Sequence, residues 1–337
     1  TSTVVNLGVD LRHPWAEEVE VPPSGALEEF ARKKVRNDYP IQAIWETGLR
    51  RLRVPLQDLF DPRVRRRMTA LIDVGHVFQT YYYGVPQGAA YEAIREHGDL
   101  LDTIEIVGDP QRLDELLAEL KSWTVWLQPR LVLSRTDHKI EHRVEGGRFS
   151  HLVGHGFTLE EGDTLAPLLE ANSGIVEGIS VRIPRDCCPL SATPMARALS
   201  ERLRVGASLY IKSTTNNIAA RHDDDADNAR RIALAAIAAL TTPNIDFILD
   251  TFVDVDRGYH ARTGLVDRLY NPRAPSRVLS QLVGLMGEGG WEAEPGDGNV
   301  LARLKTPDGA RFQVLGTPSA DALDLGGAEL GPWLERN

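Results

Sequence analysis

Short apolar runs alternate with longer amphipathic stretches along most of this chain. A strand buried on both faces reads as a brief apolar run, whereas a covering helix repeats its apolar positions every three or four residues. Eight segments fit the first pattern: Val4–Asp10, Leu52–Leu56, Leu71–Phe78, Thr103–Val107, Thr124–Leu127, Ile179–Ile183, Ser208–Ile211 and Ile245–Leu249. Helices with readable starts lie between them. Asp61-Pro62, Asp109-Pro110 and Thr193-Pro194 each set a capping side chain before a proline at the first helical position. Asp109 leads into the stripe Leu113, Leu116, Leu117 and Leu120. Another helix opens on Asp223, Asp224 and Asp225, which suit the positive end of a helix dipole, and stops before Pro243.

Eight strand–helix repeats predict an α/β fold with a parallel sheet covered by helices, closing into a (β/α)8 TIM barrel. An open doubly wound sheet would carry a glycine-rich phosphate loop after its first strand, and none is present. After about residue 285 the pattern shifts to strand-like alternation around Asp308-Gly309, a hairpin signal. The expected organisation is a barrel over 1–284 and a small β-rich appendage over 285–337.

Composition narrows the function classes. With 337 residues, 42 % of them hydrophobic, the chain can bury one large core. A net charge of −10 argues against nucleic acid as a partner, since phosphate binding wants a basic face. The run RVRRR (63–67) reads as a solvated helix face. The only cysteines, Cys187 and Cys188, are adjacent and provide no disulfide framework. No apolar run reaches membrane-spanning length and no signal-peptide pattern opens the chain, so the expectation is a cytoplasmic protein with no membrane partner. The abrupt strand-like start is what a fragment of a longer protein would show. Oligomeric state is not readable.

In such a barrel the polar residues trailing each strand gather at one mouth. Those expected to touch a ligand are Arg53, His76, Tyr82, Gln128, Arg130, Arg182, Asn216, Arg257 and Tyr259, with Asp10, Arg12 and His13 close by. Aromatics, amides, carboxylates and arginines together suit a hydroxyl-rich small molecule, a carbohydrate or a sugar acid. The Tyr81–Tyr83 run alternates faces, so at least one ring should face the mouth. Glu105 lies inside a strand and needs a buried partner such as Arg53 or Arg130. Lys212, at the end of the seventh strand, reads either as a desolvated Schiff-base nucleophile or as half of an inward ion pair. Asp109 is either a helix cap or a catalytic carboxylate. Asp250, Asp254 and Asp256 either bind a divalent cation through oxygen or pair with Arg257, Arg262 and Arg268. His138, His142, His151 and His155 form two i, i+4 pairs in a long connection, readable as a metal site, a lid or plain surface histidines. No resident cofactor is expected.

Three segments resemble a known family. GLVDRLYNPRAP (264–275), running into a helix, looks like the return after the eighth strand in the clan of (β/α)8 glycoside hydrolases that use two glutamates. LRRLRVPL (49–56) is similar to that clan's second strand, and IEIVGDP (104–110) resembles its fourth, which usually ends Asn-Glu-Pro. The resemblance implies a barrel fold and a carbohydrate ligand. It also exposes departures: Gly108-Asp109 stands at the acid/base position, and Tyr210-Ile211-Lys212 at the nucleophile position carries no carboxylate. Retaining hydrolysis needs two carboxyl groups roughly 5–5.5 Å apart. Asp109 paired with Asp250 or Asp254 would instead suit a wider, inverting arrangement. The leading expectation is a glycosidase-like or lactonase-like hydrolase with Asp109, Asp250, Asp254 and Lys212 as catalytic candidates. The alternatives are a non-catalytic sugar-binding barrel and a Schiff-base lyase using Lys212.

Overall fold

Eight parallel strands pair with their neighbours in chain order, and the eighth returns to the first to close a barrel. They are Leu7–Asp10, Arg51–Pro55, Val77–Tyr83, Thr103–Gly108, Arg130–Arg135, Gly178–Ile183, Gly206–Ile211 and Asp246–Leu249, each followed by a helix. This computed structural model describes residues 5–12, 14–21, 33–136, 155–215, 222, 224–256, 260–316 and 334–336.

Alternate strand positions are apolar and pack outward against the helices. Leu7 and Val9, Leu52 and Val54, Ile104 and Ile106, Leu131 and Leu133 are all buried in one continuous core. The intervening positions turn inward and are largely polar: Asp10, Arg51, Arg53, Gln79, Thr103, Glu105, Ser180, Ser208 and Tyr210. That alternation is the period-two rule of a barrel wall. At Gly8 a Cβ would lie 2.5 Å from the Arg51 carbonyl oxygen and 2.7 Å from its Cβ. Only glycine lets the first and second strands approach so closely.

Two strands differ from expectation. The apolar run Leu71–Phe78 straddles two elements: its start closes the helix Pro62–Ile72, whose Met68 and Leu71 face the core, and the third strand begins at Val77. Thr124–Leu127 is no strand either. It overlaps the tight turn Trp123–Val125, and the fifth strand is Arg130–Arg135. Aromatic packing accounts for this, because Trp123 and Trp126 both meet Tyr91, with ring centroids 5.4 and 5.5 Å away. Tertiary contacts override β-propensity here.

Beyond the barrel, Glu292–Pro295, Val300–Lys305, Arg311–Leu315 and Leu334–Arg336 form a four-stranded antiparallel sheet. Gly309 turns its middle hairpin with φ of 90°, a conformation that glycine adopts without steric cost. The last barrel helix, Ala274–Met286, runs two residues past 284. A further hairpin, Glu18–Val21 with Lys33–Arg36, follows the first strand. Among the described residues, no helix is long and apolar enough to cross a membrane.

Candidate functional site

The second strand carries Arg53 into the barrel, where it is only 1 % exposed. A buried guanidinium must have its charge matched and its N–H groups satisfied. Its Nε donates to Glu105 Oε2 at 2.8 Å and its Nη1 to Asp10 Oδ2 at 2.7 Å. The rings of Tyr81 and Tyr210 face its central carbon at 4.0 and 5.0 Å. Glu105 also accepts from Gln79 Nε2 at 3.2 Å and stands 3.3 Å from His155 Nδ1. His155 lies between Tyr81 and Tyr210, nearly parallel to both rings.

A second knot, nearer the strand ends, centres on Asp250. Arg12 donates to the Asp250 carboxylate and to the Tyr210 hydroxyl, which itself donates to Asp10 Oδ2 at 2.7 Å. Lys212 Nζ lies 2.8 Å from Asp250 Oδ2. The Ser213 hydroxyl donates to the Asp250 carbonyl, and the peptide bond that follows is cis. Three carboxylates (Asp10, Glu105, Asp250) thus face three cations (Arg12, Arg53, Lys212) in one continuous network.

The electrostatics of this network bear on its chemistry. Burial pushes Glu105 up, but Arg53 and His155 outweigh it and hold the carboxyl well below the usual range. Asp250 follows the same rule: burial opposes ionisation, and Arg12 and Lys212 overcome it. Burial lowers Lys212 against the pull of Asp250. It also lowers His155, with Arg53 adding to the effect, so the imidazole is neutral near pH 7. Among the described residues, the network acceptors Asp10 Oδ1 and Gln79 Oε1 are buried without a hydrogen-bond partner. Unpaired buried polar atoms are costly, so they mark a place that water or a ligand hydroxyl would complete.

The candidate residues separate clearly. Arg53, Lys212 and Asp250 meet in the network. Tyr82 does not: it packs against the helix-side core, while its neighbours Tyr81 and Tyr83 approach His155. His76, Gln128 and Arg130 are displaced to the opposite end of the barrel, because the third strand starts just after His76 and the fifth starts at Arg130. There Arg130 and Arg51 bridge Asp102 and Asp246. His76 packs beside Trp45 and Arg50, and burial with the Arg50 charge lowers it to about 4. Asp109 is half-buried and accepts from the Gln111 amide at 2.9 Å, a local turn contact. Asp254 accepts from the Gly264 amide and from Arg273 rather than from Arg262 or Arg268, and burial raises it. Arg182 is half-buried on the sixth strand, its amide bonded to the Phe157 carbonyl. His13, His138, His142, His151, Asn216, Arg257 and Tyr259 lie outside the described residues, as does the Asp256 side chain. Among the described residues, no three His, Cys, Asp or Glu side chains are placed to hold a metal ion.

Tyr210 is a member that sequence reasoning did not name, and His155 is one that it read only as part of a metal site, a lid or a set of surface histidines. Tyr210 was findable, because Ser208, Tyr210 and Lys212 repeat with period two on one strand. The i, i+4 spacing of the histidines gives no hint that His155 reaches Glu105 and Arg53 from beyond the fifth strand.

No known family model matches this chain, and neither does any curated protein. Solved structures do. A family 39 glycoside hydrolase from Bacteroides cellulosilyticus WH2 superposes with a TM-score of 0.56 over 92 % of this chain and 70 % of that one, at 14 % identity. A glucosidase from Croceicoccus marinus does so with a TM-score of 0.50 over 93 % of this chain and 72 % of that one, at 10 % identity. At such identity the likeness carries the fold alone. This chain is a closed eight-stranded barrel of the architecture found in glycoside hydrolases, at a distant remove.

Proposed function

We propose that this protein is a glycosidase-like barrel that binds a carbohydrate at the C-terminal mouth of its strands. The network around Arg53 and Asp250 carries this reading, because among the described residues it leaves the buried acceptors Asp10 Oδ1 and Gln79 Oε1 without donors. Sugar hydroxyls are the donors that such acceptors suit. Binding is better supported than hydrolysis by the two-glutamate scheme. A general acid must hold a proton near working pH. Glu105 and Asp250 are instead kept ionised, and Asp109 is engaged in its own turn.

The test compares the two ends of the barrel. Calorimetry with a panel of mono- and oligosaccharides should give saturable binding that Lys212→Met weakens at least about tenfold, the equivalent of 1.4 kcal/mol. Arg130→Gln, at the other end and 44 % exposed, should leave affinity unchanged. Equal losses in both variants, or none in either, would remove the assignment.

A second reading, a lysine-dependent lyase, draws on the buried Lys212 with its lowered pKa. Against it, the ammonium pairs with Asp250 at 2.8 Å, which favours the charged form. Borohydride treatment with a ketone substrate should leave the mass of the protein unchanged; a stable adduct on Lys212 would reverse the ranking.

A further inference from the structure

Beside the axial network, the loop after the first strand and the turn Leu56–Phe60 after the second enclose a cleft of about 560 Å³. That volume falls within the range of small-molecule sites. Leu11, Pro14, Pro55 and Val64 give it apolar walls, and Arg12 and Asp58 give it polar ones. Arg12 is 19 % exposed and belongs to both places, since the residue that lines the cleft also donates to Asp250.

Asp58 is the chemically distinctive wall. The Trp15 indole N–H donates to its Oδ2 at 2.8 Å. Trp15 is itself buried and stacked on Phe78 at 5.7 Å, so the carboxyl is held in a fixed place. Burial lifts Asp58 to about 6, against the Trp15 hydrogen bond and with help from Asp61. The axial carboxylates Glu105 and Asp250 are pushed the other way. Environments that drive neighbouring carboxyls apart divide a site into a proton-holding side and a charge-holding side.

We propose that this cleft is a subsite for a neutral sugar, with the fixed Asp58 carboxyl hydrogen-bonding the ligand and Arg12 forming the wall shared with the axial network. The inference rests on the carbohydrate reading above and narrows it. Charge decides between a neutral sugar and a sugar acid. Among the described residues, the other titratable groups that line the cleft are Arg12 and Arg63 against Asp61, Glu17 and Glu18. Arg12 is paired with Asp250, and Arg63 with Asp61 and Glu18. A ligand carboxylate would therefore enter a field with an excess of negative charge.

Calorimetry at pH 5 and pH 8 tests this, with the methyl glycosides of glucose, galactose, mannose and xylose as neutral probes and glucuronate as the acidic one. At least one methyl glycoside should bind about tenfold or more tightly at the lower pH, because the donor form of Asp58 is lost above its pKa. Asp58→Asn keeps a neutral donor and should hold the acid-side affinity at both pH values. Val64→Trp, which fills the cleft, should abolish binding while circular dichroism and melting stay close to those of the parent. A flat pH response in the parent protein, or a preference for glucuronate, overturns the proposal. Should Val64→Trp bind normally while Lys212→Met does not, the cleft loses its role and the axial mouth keeps its own. Absence of binding by every probe sinks both readings.

Discussion

Arg53 shows how much one side chain can organise. Its guanidinium neutralises Asp10 and Glu105 where all three side chains are only 1 % exposed. Removing one partner of a buried pair leaves the others uncompensated, so Arg53→Met should cost about 3–5 kcal/mol in urea unfolding. A loss below about 1 kcal/mol would mean that the network is solvated. Stability should also respond to pH with opposite signs below and above about pH 4. Glu105 and Asp250 have depressed folded pKa values, so their contribution is present above the unfolded value of about 4 and is lost as pH falls below it. Asp102, lowered to about 2 despite burial by Arg51 and Arg130, acts in the same window. Asp58 is raised, so it favours folding below about pH 4, and that contribution is lost as pH rises through about 6. Asp58→Asn should therefore stabilise the protein at pH 8 by about 2 kcal/mol and do little at pH 4. The pairing of Glu105 with Arg53 is readable from the sequence, because a carboxylate inside a barrel strand demands a cation nearby. The upward shift of Asp58 is not readable, since it comes from burial between segments that only the fold brings together.

At the level of elements, the helix Asp225–Leu240 does more than cover the barrel. Its buried Arg231 donates to the carbonyls of Lys212, Arg185, Cys187, Ile183 and Pro184 at 2.7–3.2 Å, tying together the chain ends that follow the sixth and seventh strands. Burial and the nearby Arg185 charge lower it to about 10, which leaves it cationic at neutral pH. Arg231→Met orphans these carbonyls and should destabilise the fold by about 3 kcal/mol or more. Hydrogen exchange should show the damage first at 183–188 and 211–213; uniform loosening of the whole barrel would contradict that local role. The helix caps at Asp61 and Asp224 are legible as sequence and are present, accepting from Arg63 and from Ala226 and Asp227 respectively. The third and fifth strands were not legible. Leu71 and Ile72 fit a helix face as well as a strand, and the β-favouring Trp-Thr-Val-Trp stretch forms an aromatic cluster beside Tyr91. Those two displacements alone carry His76, Gln128 and Arg130 to the wrong end.

Across the whole molecule, the barrel separates two ends with different chemistry. The N-terminal end is held by Arg51, Arg130, Asp102 and Asp246, with Arg130 and Asp102 reaching solvent. At the C-terminal end, the network of Asp10, Arg12, Arg53, Glu105, Tyr210, Lys212 and Asp250 leaves buried acceptors open and adjoins the Asp58 cleft. Fold class follows from the eightfold strand–helix alternation, which survives misplacement of two strands because the count and the order do not change. Site identity is more fragile, since a shift of a few residues along one strand moves a side chain from one mouth to the other. The most direct measurement is a crystal structure of the protein soaked at pH 5 with a methyl glycoside that binds in solution. Ligand density is expected at the C-terminal mouth, within hydrogen-bonding reach of Arg12 and Asp58. Density against Arg130 and Asp246 at the opposite end would contradict the assignment.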